Sequence, residues 1–129
     1  KKTPSGIFSL GNLYYRGDKI EKPKTKLKCI KIKKNMAWCD DTKYKKFYNK
    51  LIKKNKNIKS ENLFRNDYKY DYFIPIKYNW NKPTIPKGSA IFIHLTKNYK
   101  PTNGCIALSK KDFLILIKLV EINTKIEIC

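Results

Sequence analysis

At 129 residues the chain is one domain's worth, and with 41% hydrophobic and 13% aromatic residues it lies outside the composition that keeps a chain disordered, despite a net charge of +20. Of its 30 basic residues only Arg16 and Arg65 are arginine, and the lysines are scattered from Lys1 to Lys125, which reads as compositional bias; no specific nucleic-acid partner is expected. No apolar run approaches the roughly 18 residues that cross a bilayer, and four cysteines without a C-x-x-C pair beside a single histidine leave no expectation of a metal or cofactor.

In chain order, "TPSG" is a Pro/Gly turn, and "IFSLGNLYYR" and "LKCIKIK" are rich in strand formers, so the first third reads as short strands joined by turns. In "DDTKYKKFYNKLIKK", residues 40–54, Tyr44, Phe47, Tyr48, Leu51 and Ile52 repeat at helical spacing behind an Asp or Thr cap, which predicts an amphipathic helix. "NKNIKSEN" is a polar loop. The aromatic, β-branched stretch "YKYDYFIPIKYNW" predicts a strand, with Pro75 pointing to an edge or a bulge because it has no N–H to donate. After the turn-rich "NKPTIPKG", "SAIFIHL" reads as a buried strand and "KNYKPTNG" as the loop leaving it. Ser109 stands three residues before Asp112 and ahead of "FLILIKLV", an N-cap and an acidic first turn for a second helix; "TKIEIC" closes the chain as an alternating strand. The expectation is one mainly β domain with two helices.

The candidate chemistry lies around the lone histidine. His94 on its strand and Cys105 behind Gly104 are separated by a ten-residue loop. A cysteine attacks as the thiolate and needs a base that is itself oriented by a partner; His94 is of the right type, and amides around Cys105 are candidates for an oxyanion hole. The plainer reading is a core histidine with both nitrogens satisfied and a cysteine acting as a small buried hydrophobe. Spacing alone leaves both open. The other cysteines, Cys29, Cys39 and Cys129, allow at most one bridge if Cys105 is reactive.

"PTNGCIALS" following "GSAIFIHL" resembles the active-site segment of the L,D-transpeptidase catalytic domain family (YkuD domain), in which a strand histidine precedes Ser/Thr-x-Gly-Cys. "KTPSGIFSL" is similar to the family's opening motif, and "WCDD" with "YKYDYFIPIKYN" resembles the branch that has a longer insertion before the histidine and a short loop to the cysteine. The resemblance runs from Lys2 to about Leu119 and implies a β-sandwich with a few helices, residues 1–129 forming a catalytic domain preceded by upstream sequence. It implies Cys105 as nucleophile, His94 as proton acceptor and donor, and Thr102, Asn103 and Gly104 as the turn that shapes the oxyanion site. Ala107 departs from the arginine that many relatives place there to bind a substrate carboxylate.

The implied activity is peptidoglycan remodelling: a thioester forms on Cys105 with a stem peptide and passes to an acceptor amine, making a cross-link, or to water, as in a carboxypeptidase or endopeptidase. Stem peptides as donor and acceptor, covalent inhibition by carbapenems, a monomeric state and a bacterial periplasmic or cell-wall location follow as expectations. Ser89, Tyr78 and Asn79 are candidates for the donor groove and Asp40 and Asp41 for an amine contact, each with a structural reading beside it as strand or cap residue. Trp38 and Trp80 are equally suited to stacking on sugar or filling core. The rival from another class is a non-catalytic basic module binding anionic wall polymer through its lysines, whose affinity would fall steeply with salt.

Overall fold

In the computed structural model, residues 3–97 and 105–129 are described. The elements are β1 (Gly6–Ser9), β2 (Leu13–Tyr15), β3 (Cys29–Lys31), β4 (Met36–Cys39), β5 (Leu51–Lys53), β6 (Ser60–Asn62), β7 (Tyr72–Pro75), β8 (Phe92–Leu95), β9 (Ile106–Leu108), α1 (Lys110–Leu119) and β10 (Lys125–Ile128). They form a five-stranded sheet in the order β3-β2-β7-β8-β9, a three-stranded sheet β5-β4-β6, and an antiparallel pair β1-β10. The domain is a mainly β sandwich, as the family resemblance implies.

Strand alternation gives the five-stranded sheet two apolar faces. Leu13, Tyr72, Ile74, Ile93 and Leu95 point to one side, where Phe113, Ile117 and Val120 from the α1 segment cover them. Ile126 and Ile128 of β10 and Phe8 of β1 pack at the margin of that cluster. Tyr14, Phe73 and Phe92 point to the other side and meet Trp38 of β4 together with Ile32, Leu63 and Tyr70. Phe73 is the centre of this second core: fully buried, it stacks on Tyr14 with centroids 4.7 Å apart and touches Phe92 at 4.6 Å and Tyr70 at 5.1 Å. Phe73→Ala is expected to lower the unfolding free energy by about 3–5 kcal/mol, because the aromatic walls cannot close over the void; urea denaturation of the two proteins measures it.

Ser109 caps α1 as expected, its Oγ accepting the Asp112 N–H at 3.1 Å. Among the described residues α1 is the only α-helix, which corrects the expectation of a second one over residues 40–54. There the chain makes turns and then β5. The Asp41 carboxylate accepts the N–H groups of Lys43 and Lys59, tying the segment to a distant loop, and Asn49 takes a left-handed φ of 58° that ends any helical path. The apolar periodicity was not one buried face: Tyr48 is buried, whereas Tyr44 and Leu51 are exposed. Pro75 likewise stands in an interior strand and not at an edge. It ends β7 opposite Phe92, and beside it β2 has given way to Gly11, whose N–H donates to the Pro75 carbonyl at 2.7 Å. A ladder donor is therefore not required of it.

Candidate active site

The site is assembled by register. β9 runs parallel to β8 with Ile93 opposite Ile106 and His94 opposite Ala107, which sets Cys105 beside Phe92. Cross-strand partners share a face, and so do residues two apart on one strand. His94, Phe92, Ala107 and Cys105 consequently belong to the face that carries the second core, and Cys105 packs against that core at its margin. A parallel pair brings the chain back to the start of β8 before β9 begins, so the thiol arrives two residues short of the imidazole and one strand away.

Backbone groups of β8 and its approach hold the sulfur. The Cys105 thiol donates to the Ala90 carbonyl at 3.3 Å, and the Phe92 N–H points at Sγ at 3.5 Å. The amide N–H directed at sulfur favours the thiolate, the reactive form, while the Ala90 carbonyl favours the neutral thiol, so a base is still needed to take the proton. Cys105 is partly exposed, whereas His94 is buried. All four cysteines are thiols.

The His94 Nδ1 lies 2.9 Å from the Leu95 carbonyl. A carbonyl only accepts, so Nδ1 carries the proton and Nε2 presents its lone pair. Nε2 is buried and has no hydrogen-bond partner among the described residues. Core histidines generally satisfy both nitrogens, so an Nε2 without a partner among the described residues departs from the plain core reading. Burial lowers the imidazole pKa, the Leu95 carbonyl opposes this, and Lys69 and Arg65 depress it further, so the ring is neutral at pH 7.

Tyr70 walls the site. Its ring meets His94 edge to face at 5.8 Å, and its hydroxyl donates to Glu61 at 2.7 Å. Burial, then Glu61, and also the nearby Cys105 raise its pKa, so it stays a neutral phenol. The Arg65 guanidinium lies 5.3 Å above the Tyr70 ring, and Lys69 5.4 Å from it.

The other candidates fall in several places. Thr102, Asn103 and Gly104 lie outside the described residues. Ser89 is buried and donates to the Cys39 carbonyl at 2.6 Å. Tyr78 donates to the Lys87 carbonyl, and Asn79 braces the 79–88 loop through Thr84 and Gly88. Asp41 caps its turn, while Asp40 has a buried oxygen with no partner among the described residues. Trp38 is core, its indole N–H donating to Asn49; the partly buried Trp80 packs on it at 5.7 Å and lines a cavity of about 450 Å³ with Asn12, Lys50, Pro75 and Lys77. Sequence reasoning missed Asn49, Ala90, Tyr70 and Glu61. Asn49 acts through side-chain bonds to groups distant in sequence and Ala90 through its own backbone angle, neither of which local sequence displays, and Tyr70 was one aromatic among many in its stretch.

Comparison with curated proteins and with solved structures finds no match to either. Residues 1–128, nearly the whole chain, match the family model described as the L,D-transpeptidase catalytic domain (YkuD). With a strand histidine whose basic nitrogen stands open and a thiol on the same sheet face, the chain belongs to that family of peptidoglycan-active enzymes.

Proposed function

We propose that the chain is an L,D-transpeptidase that works through a thioester on Cys105. The Sγ attacks an amide carbonyl of a wall stem peptide while His94 Nε2 takes the thiol proton. Collapse of the tetrahedral intermediate breaks the C–N bond, and the imidazolium gives its proton to the leaving amine. An acceptor amine then attacks the thioester carbonyl, losing its proton to His94 and releasing the thiolate, and a cross-link results; water in that role gives hydrolysis. The observation that carries this reading is the open, buried Nε2 lone pair on the face shared with the thiol.

The turn Thr102–Asn103–Gly104 would supply the amides that hold the oxyanion, each such donor worth about 3 kcal/mol. Ser89, Tyr78, Asn79 and Asp41, all bonded to backbone elsewhere in the fold, would fix the groove wall, and Asp40 is left to meet an amine. Ala107 stands directly across from His94, at the position where the resemblance implies an arginine in many relatives, and it offers no charge for a carboxylate. Arg65 and Lys69, whose charges are felt at His94, would receive the donor carboxylate instead. Such a substrate sets the protein to work in the cell-wall compartment, outside the cytoplasmic membrane.

Incubation with a carbapenem followed by peptide mass mapping tests the assignment. One adduct on Cys105 is expected, absent in His94→Ala at short times. An adduct on Cys29 or Cys129 alone, or none, rejects it; binding to wall polymer that vanishes with salt and survives Cys105→Ala would favour the basic binding module.

A further inference from the structure

Behind the thiol lies a buried polar residue that the reaction above does not use. Asn49 is enclosed at the junction of β4, the 79–88 loop and the approach to β8, and all of its side-chain hydrogen-bonding groups are engaged. Its Oδ1 accepts from the Trp38 indole at 2.9 Å and from the Ala90 N–H at 3.1 Å. Its amide nitrogen donates to the Tyr78 and Asn79 carbonyls at 3.1 and 2.7 Å.

Ala90, the residue it holds, has φ of 58°, a left-handed conformation that a residue with a Cβ seldom adopts. Such a conformation persists only where neighbours impose it. The consequence reaches Cys105 directly. The peptide that follows Ala90 carries the carbonyl receiving the thiol, and two residues on comes the Phe92 N–H directed at the same sulfur. Were Ala90 to relax into the ordinary β region, its carbonyl would swing off that line.

We propose that Asn49 is a positioning residue for the reactive thiol: its Oδ1, by binding the Ala90 N–H, locks the left-handed turn whose carbonyl seats Cys105 for attack. The proposal rests on Cys105 being the nucleophile and assigns to Asn49 no contact with substrate.

The test is a rescue. In Asn49→Gly the left-handed backbone at 49 is retained at no cost while the side chain is lost. The kcat for muropeptide turnover is expected to fall at least tenfold with KM within twofold. Iodoacetamide labelling of Cys105, normalised to the exposed Cys129 of the same molecules, should change at least threefold. Adding Ala90→Gly, which adopts φ near 58° without strain, should reverse most of both changes. Ala90→Val keeps the Asn49 side chain but opposes a left-handed φ at position 90 and should change the labelling ratio at least threefold; it decides the matter even if Asn49→Gly does not fold. Unchanged labelling in folded Asn49→Gly or Ala90→Val, or no recovery in the double variant, overturns the proposal. Labelling needs no wall substrate, so it reports on Asn49 even where wild-type turnover fails and the proposed reaction falls with it.

Discussion

Cys105→Ala is expected to abolish turnover of purified muropeptides, a loss of about 10⁴-fold or more, because the proposed thioester could no longer form. Liquid chromatography with mass detection of the products measures it. The variant should still fold. Cys105 sits at the margin of the second core, and removing one sulfur atom leaves Phe73, Phe92, Trp38 and Tyr70 in contact. A folded Cys105→Ala that still exchanges or trims stem peptides would remove the thioester from the mechanism. Cys105→Ser is expected to be nearly as inactive: an alcohol is a far weaker acid than a thiol, and a neutral, desolvated imidazole is poorly matched to deprotonate it.

His94→Gln is expected to lower kcat/KM by about 10²–10⁴-fold, the usual worth of a general base. Glutamine fills much of the imidazole's volume and can donate to the Leu95 carbonyl in place of Nδ1–H, so the packing against Tyr70 survives while the titrating nitrogen is gone. The same variant separates a second effect. The His94 pKa is depressed in the folded state, chiefly by burial. Above the unfolded value near 6.5 both states are neutral and the residue leaves stability unchanged with pH. As pH falls below about 6.5 the unfolded chain takes up a proton that the folded chain refuses, so stability declines until the folded-state pKa is passed. Each unit of depression is worth about 1.4 kcal/mol. Urea titrations at pH 7 and pH 5 should show this decline in the wild type and not in His94→Gln. Asp18 and Asp67, held at about 2 by Arg16 and Arg65, act in a separate window below pH 4, so they do not obscure it. Equal losses in both proteins between pH 7 and 5 would mean that the imidazole is not sequestered.

Much of this architecture was legible before any coordinates. Where apolar residues alternate or run together between turn residues, as in "SAIFIHL" and "TKIEIC", the strands β8 and β10 appeared, and the Ser109 cap opened α1. That His94 and Cys105 lie on one face of neighbouring strands was implied only by the family motif. Spacing could not supply it, since what brings them together is the parallel register of β8 and β9. The segment 40–54 misled because helical spacing of Tyr44, Tyr48 and Leu51 coexists with Asn49 in the left-handed region and Asp41 bonded to Lys59 across the fold. Tertiary partners outweighed local periodicity there. Pro75 misled for the opposite reason: the rule about missing donors is sound, but the β2 ladder ends where its nitrogen faces. Ala90 carried no signal at all, because nothing in an alanine announces an unusual backbone angle.

The placement of β8 has a kinetic consequence. It lies between β7 and β9, and both of its faces are covered by packed side chains. Amide protons in such a strand trade with deuterium only when the whole domain opens, whereas fraying suffices at an outer strand such as β3. The imidazole is thus mounted on a strand expected to be among the slowest to exchange, and whatever breathing accompanies substrate capture has to occur in the elements around it.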